Sequence, residues 1–461
     1  MSRNAGWLLV CLACLLTAEA IAQPPNIILI LSDDVGAETI GAYGGESYRT
    51  PNLDELARDG VRFDHGHAQP LCTPSRVKIM TGKYNFRNYT HFGFLDPAEK
   101  TFAHMLRDAG YRTAVAGKWQ LYSNPFEDLQ GSTPETAGFD EYLLWQLNPE
   151  QKGSRYWQPT LNHNGEQRRH EASVFGPDLL NDYVLDYIQK KGSEPFFLYY
   201  NMVLAHDPWV TTPDMRDANA SDQEKFVAMM AYMDKLVGNV RDAVQAAGIA
   251  DNTVIFFIGD NGTDRDITSR HDGVNVRGAK GATITHGTRV PFIVWGANFR
   301  GIQGVSSSLV NLNDVLPTLA ELAGIDPPED YPGDGQSLAG ILRGEGELER
   351  DSLFIHYEPR WPSGLPARYA FDRRWKLYEN GGFFDMQADP LEEKPLPLDS
   401  LDAEAETAYT RLKARIDGMP GELQSSRRWY PARFYYTVAA ALLVLTSLGW
   451  LGRRLLLWLR R

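Results

Sequence analysis

The sequence predicts an α/β fold, a doubly wound sheet flanked by helices with a small, mostly antiparallel subdomain behind it. Three observations predict it. Short apolar runs without polar alternation read as parallel strands buried on both faces: residues 26–31 (NIILIL), 113–116, 196–200 (FFLYY), 254–258 (VIFFI) and 292–295. Helical patterns alternate with these runs, as strand–helix–strand units require. After about residue 350 the alternation fades into short strands separated by turn residues.

Taken in order, residues 26–31 open the sheet. Residues 50–57 (TPNLDELA) read as a capped helix start, with Pro51 in the first turn. Residues 101–110 (TFAHMLRDAG) form a helix stopped by Gly110, residues 223–246 a long amphipathic helix, and residues 313–324 (NDVLPTLAELAG) another helix closed by glycine. Residues 353–357, 367–371, 375–378 and 382–386 are the strands of the small subdomain, placed at 351–420, and residues 421–433 form a polar linker.

The chain has 461 residues, 43% hydrophobic and 23% charged. Those values exclude wholesale disorder and a multi-span membrane protein. A net charge of −13 argues against a nucleic-acid partner, because phosphate-backbone binding needs a basic surface. A local basic pocket for an anionic substrate remains open. Residues 1–22 have the form of a signal peptide, with Arg3, an apolar stretch at 7–16, and Ala20-Ile21-Ala22 as a small-x-small cleavage site. Its removal takes Cys11 and Cys14 and leaves Cys72 without an intrachain disulfide partner. Cys72 is then either small apolar filling or has another explanation.

At the other end, residues 434–452 carry no charge and, at ~1.5 Å rise per residue, span about 28 Å. That is enough for a transmembrane helix. The basic tail 453–461, with Arg453, Arg454, Arg460 and Arg461, favours the cytoplasmic side. Arg427, Arg428 and Arg433 on the other flank weaken the asymmetry, and a buried terminal helix or a cleaved sorting tail would look similar. The expectation is a catalytic domain, residues 23–350, exported to the periplasmic or extracellular face and anchored by the C-terminal helix.

Ligands of open α/β sheets sit beyond the carboxyl ends of the strands. Here residues 26–31 run into Ser32-Asp33-Asp34, and residues 254–258 into Gly259-Asp260-Asn261-Gly262. Residues 196–200 lead to Asn201 and His206, and residues 113–116 to Gly117-Lys118. Acids, an amide, a lysine and a histidine thus converge on one edge. Asp33, Asp34, Asp260 and Asn261 make an all-oxygen set that suits a hard divalent cation, Ca²⁺ or Mg²⁺. Either pair alone reads equally well as turn and N-cap chemistry. Two pairs, each at a strand end, favour the metal.

The segment Leu71-Cys72-Thr73-Pro74-Ser75-Arg76 carries C-x-P-S-R. With it the chain resembles the formylglycine-dependent sulfatase family of the alkaline-phosphatase-like superfamily, whose large mixed sheet is flanked by helices. The resemblance covers roughly residues 25–395, through PNIILILSDD, TPNLDELARDGVRF, CTPSRVKIMTGKY, AGKWQL, AHDPW, GDNG, GAKGATITHGTRVPF, NDVLPTLAELAGI and the WKLY…FFDMQADPLEE run. It implies that a formylglycine-generating enzyme oxidises Cys72 to an aldehyde, and that Asp33, Asp34, Asp260 and Asn261 hold the cation against it. An aldehyde hydrates to a geminal diol, and a nearby dication and lysine lower the pKa of one hydroxyl. That oxygen attacks sulfur in line and the alcohol leaves. The second hydroxyl then loses its proton and expels sulfate, regenerating the aldehyde.

By the same resemblance Arg76 holds the diol, Lys118 and Lys280 bind sulfate, and His206 protonates the leaving alcohol. Each also has a plainer reading, as a surface arginine, solvated loop lysines or a structural histidine. Two departures matter. Gln120 stands in Gly117-Lys118-Trp119-Gln120-Leu121 where the family usually has a histidine, and an amide cannot take a proton. His67 is a speculative substitute base. His286 stands where a glutamate is more usual and is expected near substrate.

The implied reaction is hydrolysis of a sulfate ester, best fitted by a sulfated carbohydrate. The rivals are phosphonate monoester or phosphodiester hydrolysis by the same nucleophile, and non-catalytic binding of sulfated glycans by a chain with unmodified Cys72. Specificity is expected from the loop with Trp145, Tyr156, Trp157 and His163 and from His356-Tyr357-Glu358-Pro359-Arg360-Trp361, whose aromatics and arginine suit sugar rings and further sulfates. The same residues could equally pack between subdomains.

Overall fold

A computed structural model describes residues 24–123, 130–147, 153–190, 192, 194–296, 304–361 and 365–421. The expected leader (1–22), apolar span (434–452) and basic tail (453–461) lie outside the described residues, as does the linker beyond residue 421. Among the described residues no helix is long and apolar enough to cross a membrane.

The strands, in chain order, are β1 (Asn26–Ser32), β2 (Val61–His67), β3 (Arg112–Lys118), β4 (Glu141–Trp145), β5 (Thr160–His163), β6 (Glu166–Arg169), β7 (Phe196–Asn201) and β8 (Thr253–Gly259). They continue with β9 (Thr268–His271), β10 (Val274–Arg277), β11 (Phe292–Gly296), β12 (Gly304–Asn311), β13 (Leu353–Tyr357), β14 (Ala367–Phe371), β15 (Trp375–Tyr378) and β16 (Phe383–Asp385). The longer helices are α1 (Pro51–Asp59), α2 (Cys72–Thr81), α3 (Phe102–Asp108), α4 (Gly176–Gln189), α5 (Asp222–Ala246), α6 (Val315–Ala323) and α7 (Ala403–Asp417).

The main sheet has the spatial order β12-β2-β11-β8-β1-β7-β3-β4-β5-β6. Its centre is parallel, with β1 between β8 and β7, and β3 beyond β7. The unbroken apolar run of β1 has a two-sided use. Ile27, Leu29 and Leu31 join one core with α2, α3 and α6, whereas Ile28 and Ile30 join the other with α1, α4 and α5. This is the helix–sheet–helix sandwich expected of strands that are apolar at every position.

One expectation is corrected. Residues 292–295 read as a parallel strand, but β11 runs antiparallel to both β8 and β2, so the sheet is mixed. The chain leaves β8 at the carboxyl edge and turns through loops and the β9–β10 hairpin without a crossover helix. The next strand must therefore run back. Strands β2, β5, β6 and β12 escaped the apolar-run criterion because they are shorter, mixed or, like β6, fully exposed, whereas β4 (EYLLW) carries an apolar run that the sequence reading did not mark.

The second sheet, β13-β14-β15-β16, is antiparallel throughout. One face packs Phe354, Trp375 and Leu377 on Ala405, Leu412 and Ile416 of α7, a helix the sequence reading did not mark. The other presents Ile355, Tyr357 and Tyr369 to Leu71 and Leu309. The small sheet thus leans against the residue next to Cys72.

Candidate active site

Strand register sets the site. Ser32 pairs with Gly259, Leu31 with Asn201, and Gly117 with Asn201. The chain therefore leaves β1, β8 and β7 at one level, beside the end of β3. Gly117 has φ +101°, and a Cβ there would lie 1.7 Å from the Asn201 carbonyl oxygen. Only glycine allows that approach, which sets Lys118 over β7. The carboxyl end of β2 delivers the next segment to the same edge, and α2 begins at Cys72 with every residue from Cys72 to Thr81 buried. Arg76 follows one helical turn later.

All nine expected site residues meet here. Lys118 Nζ donates to both oxygens of Asp33 at 2.8 Å. Arg76 donates to Asp260 Oδ2 at 3.1 Å and to the Lys118 carbonyl at 3.2 Å. Lys280 Nζ donates to Asp34 Oδ2 at 2.5 Å and lies 3.1 Å from His206 Nε2. Asn261 Nδ2 donates to Asp34 Oδ1 at 2.8 Å and to the Gly262 carbonyl at 2.9 Å. Its Oδ1 is therefore buried with no hydrogen-bond partner among the described residues. Asp33, Cys72 and Asp260 each offer one ligand atom, all within 4.8 Å of one another. Three carboxylates and an unpartnered amide oxygen form a hard-donor cradle that fits a divalent cation. Ca²⁺ and Mg²⁺ both suit it.

The fields in the cluster oppose one another. Burial works to raise Asp33, but Lys118, His206, Arg76 and Arg155 outweigh it and hold the carboxyl well below the usual range. Burial and the neighbouring Asp33 push Asp260 up. Burial also raises the Cys72 thiol. Burial lowers the Lys280 ammonium, yet Asp34 wins and keeps it charged. His206 Nδ1 lies 2.8 Å from Asp207 Oδ1, and that hydrogen bond holds Asp207 down to about 2.

The cluster opens into a cavity of about 510 Å³ lined by Cys72, Lys118, Gln120, Trp145, Arg155, His206, Lys280 and Trp361, among others. Gln120 adopts a left-handed backbone (φ 57°), and its Oε1 is buried without a hydrogen-bond partner among the described residues. A non-glycine residue in that region signals local strain, common at reaction centres.

His67 does not replace the missing histidine. Its Nδ1 lies 3.3 Å from Thr288 Oγ1, and its ring packs edge-on against Phe371, away from the cavity lining. His286 is also outside that lining, and burial lowers it to about 4. Of the expected specificity residues, Trp145 and Trp361 line the cavity. Trp157 packs on Phe175, His163 on Tyr183, and His356 is buried near Phe86. Tyr156 works from behind, its hydroxyl donating to the carbonyls of Val203 and His206. Arg155 was missed, because nothing in Gly153-Ser154-Arg155 sets it apart from an ordinary loop arginine. Also missed was a clamp from the small sheet. Lys376 Nζ donates to the Thr283 carbonyl and pairs with Glu392 at 2.9 Å, while the Tyr378 hydroxyl lies 2.5 Å from Glu392 and 2.9 Å from Thr283 Oγ1. It pins the loop that carries Lys280.

Comparison with known proteins shows the family. The Sulfatase family model matches residues 25–325. Arylsulfatase A of Homo sapiens is 32% identical over 425 residues, covering 82% of this chain and 80% of that protein. N-acetylgalactosamine-6-sulfatase of Homo sapiens is 30% identical, over 74% of this chain and 69% of that protein. Among solved structures, Ps i-CgsB in complex with k-i-k-neocarrahexaose superposes with a TM-score of 0.70 at 24% identity, covering 88% of this chain and 96% of that one. The phosphonate monoester hydrolase of Agrobacterium radiobacter does so at 0.66 and 18%, over 85% and 95%. Both share the fold. The chain belongs to the sulfatase family, on the alkaline-phosphatase-like fold, and is a sulfuric ester hydrolase.

Proposed function

We propose that this chain hydrolyses sulfate esters of a sulfated carbohydrate, with Cys72 acting as formylglycine beside a divalent cation held by Asp33, Asp34, Asp260 and Asn261. The observation that carries it is the clustering of Cys72, those four oxygen donors and the cations Arg76, Lys118 and Lys280 at the base of one cavity, whose lining includes Cys72, Lys118 and Lys280. When present, the cation and the hydrated aldehyde supply charge stabilisation and an oxygen nucleophile.

The chain's own groups do the rest. Arg76 and Lys118 neutralise Asp260 and Asp33 beside residue 72. Lys280 faces developing sulfuryl charge, where preorganised donors act most strongly. With its Nδ1 proton donated to Asp207, His206 accepts from Lys280 at Nε2. Protonated at Nε2 as well, His206 would offer that proton to the leaving alcohol while Lys280 keeps its charge. Gln120 positions by hydrogen bonding and takes no proton.

A carbohydrate leaving group is supported by Trp361 in the cavity wall, 48% exposed beside Phe92. A solved protein in complex with its substrate D-glucosamine-2-N,6-O-disulfate shares the fold, with a TM-score of 0.68. The reading includes a division into residues 23–350 and 351–420, action of a formylglycine-generating enzyme on Cys72, export under the leader 1–22, and membrane attachment through 434–452. Two measurements test it. Mass spectrometry of the peptide around residue 72 should show loss of sulfur and gain of oxygen. A panel of sulfated mono- and oligosaccharides should be turned over, with activity lost to chelator and restored by Ca²⁺ or Mg²⁺. An intact thiol together with no turnover would point to a glycan-binding protein, and preference for a phosphate diester of the same alcohol to the phosphonate-hydrolase reading.

A further inference from the structure

Four cations surround the acidic cluster, three of them in the cavity lining, and one is held differently from the others. Arg76, Lys118 and Lys280 each hydrogen-bond a carboxylate of the cluster, at 3.1, 2.8 and 2.5 Å. Arg155 comes no closer than 3.7 Å to Asp33 Oδ2, an oxygen that already accepts from Lys118. Its Nη1 is buried with no hydrogen-bond partner among the described residues. What holds it is aromatic stacking: the guanidinium carbon lies 4.0 Å from the ring centre of Trp145 and 5.7 Å from that of Tyr156. Tyr156 is itself fixed by its hydroxyl to the carbonyls of Val203 and His206. The side chain is 11% exposed, so its rotamer entropy is largely lost before any ligand arrives.

A planar fork that is stacked, desolvated and paired with a carboxylate only at 3.7 Å, without a hydrogen bond, has donors free for an incoming oxyanion. The position says which one. Nη1 reaches toward the same Asp33 oxygen as Lys118 Nζ, at the reacting end of the cavity. Gln120, in the same lining, can offer only neutral donors. From these contacts the geometry points to Arg155 as a further catalytic residue that grips the sulfuryl oxygens in the transition state and supplies the positive charge that Gln120 lacks. This rests on the sulfatase reading above and adds a residue to it.

The test uses the full chain with Arg155→Gln and Arg155→Lys, and two readouts: kcat/KM on a simple aryl sulfate, which has no second anionic group, and the shift in Tm produced by inorganic sulfate. Arg155→Gln should lower kcat/KM by about 10²–10³-fold, the usual loss for one oxyanion donor, mainly in kcat, and should remove most of the sulfate-induced shift. Arg155→Lys should recover only a small part of either. Trp145→Leu keeps the guanidinium but removes its platform, and should cost roughly tenfold. Unchanged aryl-sulfate kinetics in Arg155→Gln, or a loss confined to substrates with a second anionic group, would overturn the assignment. So would a wild-type chain that gains no stability from sulfate. If wild type gains stability from sulfate but turns nothing over, the hydrolase reading fails while the sulfate readout still decides the role of Arg155.

Discussion

Two buried charge clusters in this protein are built on opposite plans. At the joint between the sheets, Asp314 accepts from both ends of Arg350 at 2.6 and 2.7 Å, and from the backbone N–H of Asn311 and Gln336 at 2.7 and 2.8 Å. Each of its four acceptor positions meets a donor. At the carboxyl edge of the main sheet, Asp33 and Asp260 are crowded together with Cys72 beside a cavity, and burial pushes Asp260 and the thiol up. One-to-one matching is how a fold tolerates buried charge. Crowding like charges next to open space stores cost at a place where chemistry can use it.

The sharpest way to break the comparison is at residue 72. Cys72→Ala should lower aryl-sulfate turnover by on the order of 10⁴-fold or more, as loss of a nucleophile does, with Tm nearly unchanged; residual turnover close to wild type would end the assignment. At the joint the balance should reverse. Arg350→Ala strands Asp314 and should cost about 3–5 kcal/mol in urea unfolding, with kcat little altered in the fraction that stays folded.

Lys78 sharpens the contrast from between the two clusters. Its Nζ has no hydrogen-bond partner among the described residues and lies 5.3 Å from the ring centre of Tyr84. Burial lowers it to about 7, against the opposing pull of Asp314 and Asp334. The folded pKa is below that of the unfolded chain, about 10.4, so between them the unfolded state binds more protons. Stability should therefore rise with pH above 7, by about 1.4 kcal/mol per unit at most. Lys78→Met should flatten that slope in unfolding midpoints taken at pH 7, 8 and 9, and an unchanged slope would assign it to another group. The smallest effect is expected for Gln120→His, which restores a group able to accept a proton. Turnover should rise about two- to tenfold if sulfate release is limiting, and a rise in KM alone would show that the amide only positions substrate.

What the sequence made legible follows from what strands do to polar residues. Asp33, Asp34, Asp260, Asn261 and Lys118 stood out because each ends an apolar run, and strand register then carries such ends to a common edge. Cys72 and Arg76 were legible through their motif. Arg155 was not, because its importance lies in stacking on Trp145, a contact between loop and strand with no periodic signal. His67 and His286 misled for the reverse reason: nearness in sequence to the motif, or to a usual family position, says nothing about which way a ring turns. Strands β5 and β6 hid because a sheet edge needs few apolar residues, and β11 changed direction because its connection never crosses the sheet.

The clamp from Lys376 has a consequence for how this protein is made. The strand that pins the Lys280 loop, and the Glu392 that charges it, leave the ribosome roughly a hundred residues after the loop itself. A nascent chain stopped before that point would hold the nucleophile, the acidic cradle and the cations around it, yet lack the side-chain bonds to Thr283, three residues beyond Lys280. The last-made sheet thus finishes the bracing of a much earlier segment, through an ion pair outside the cavity lining.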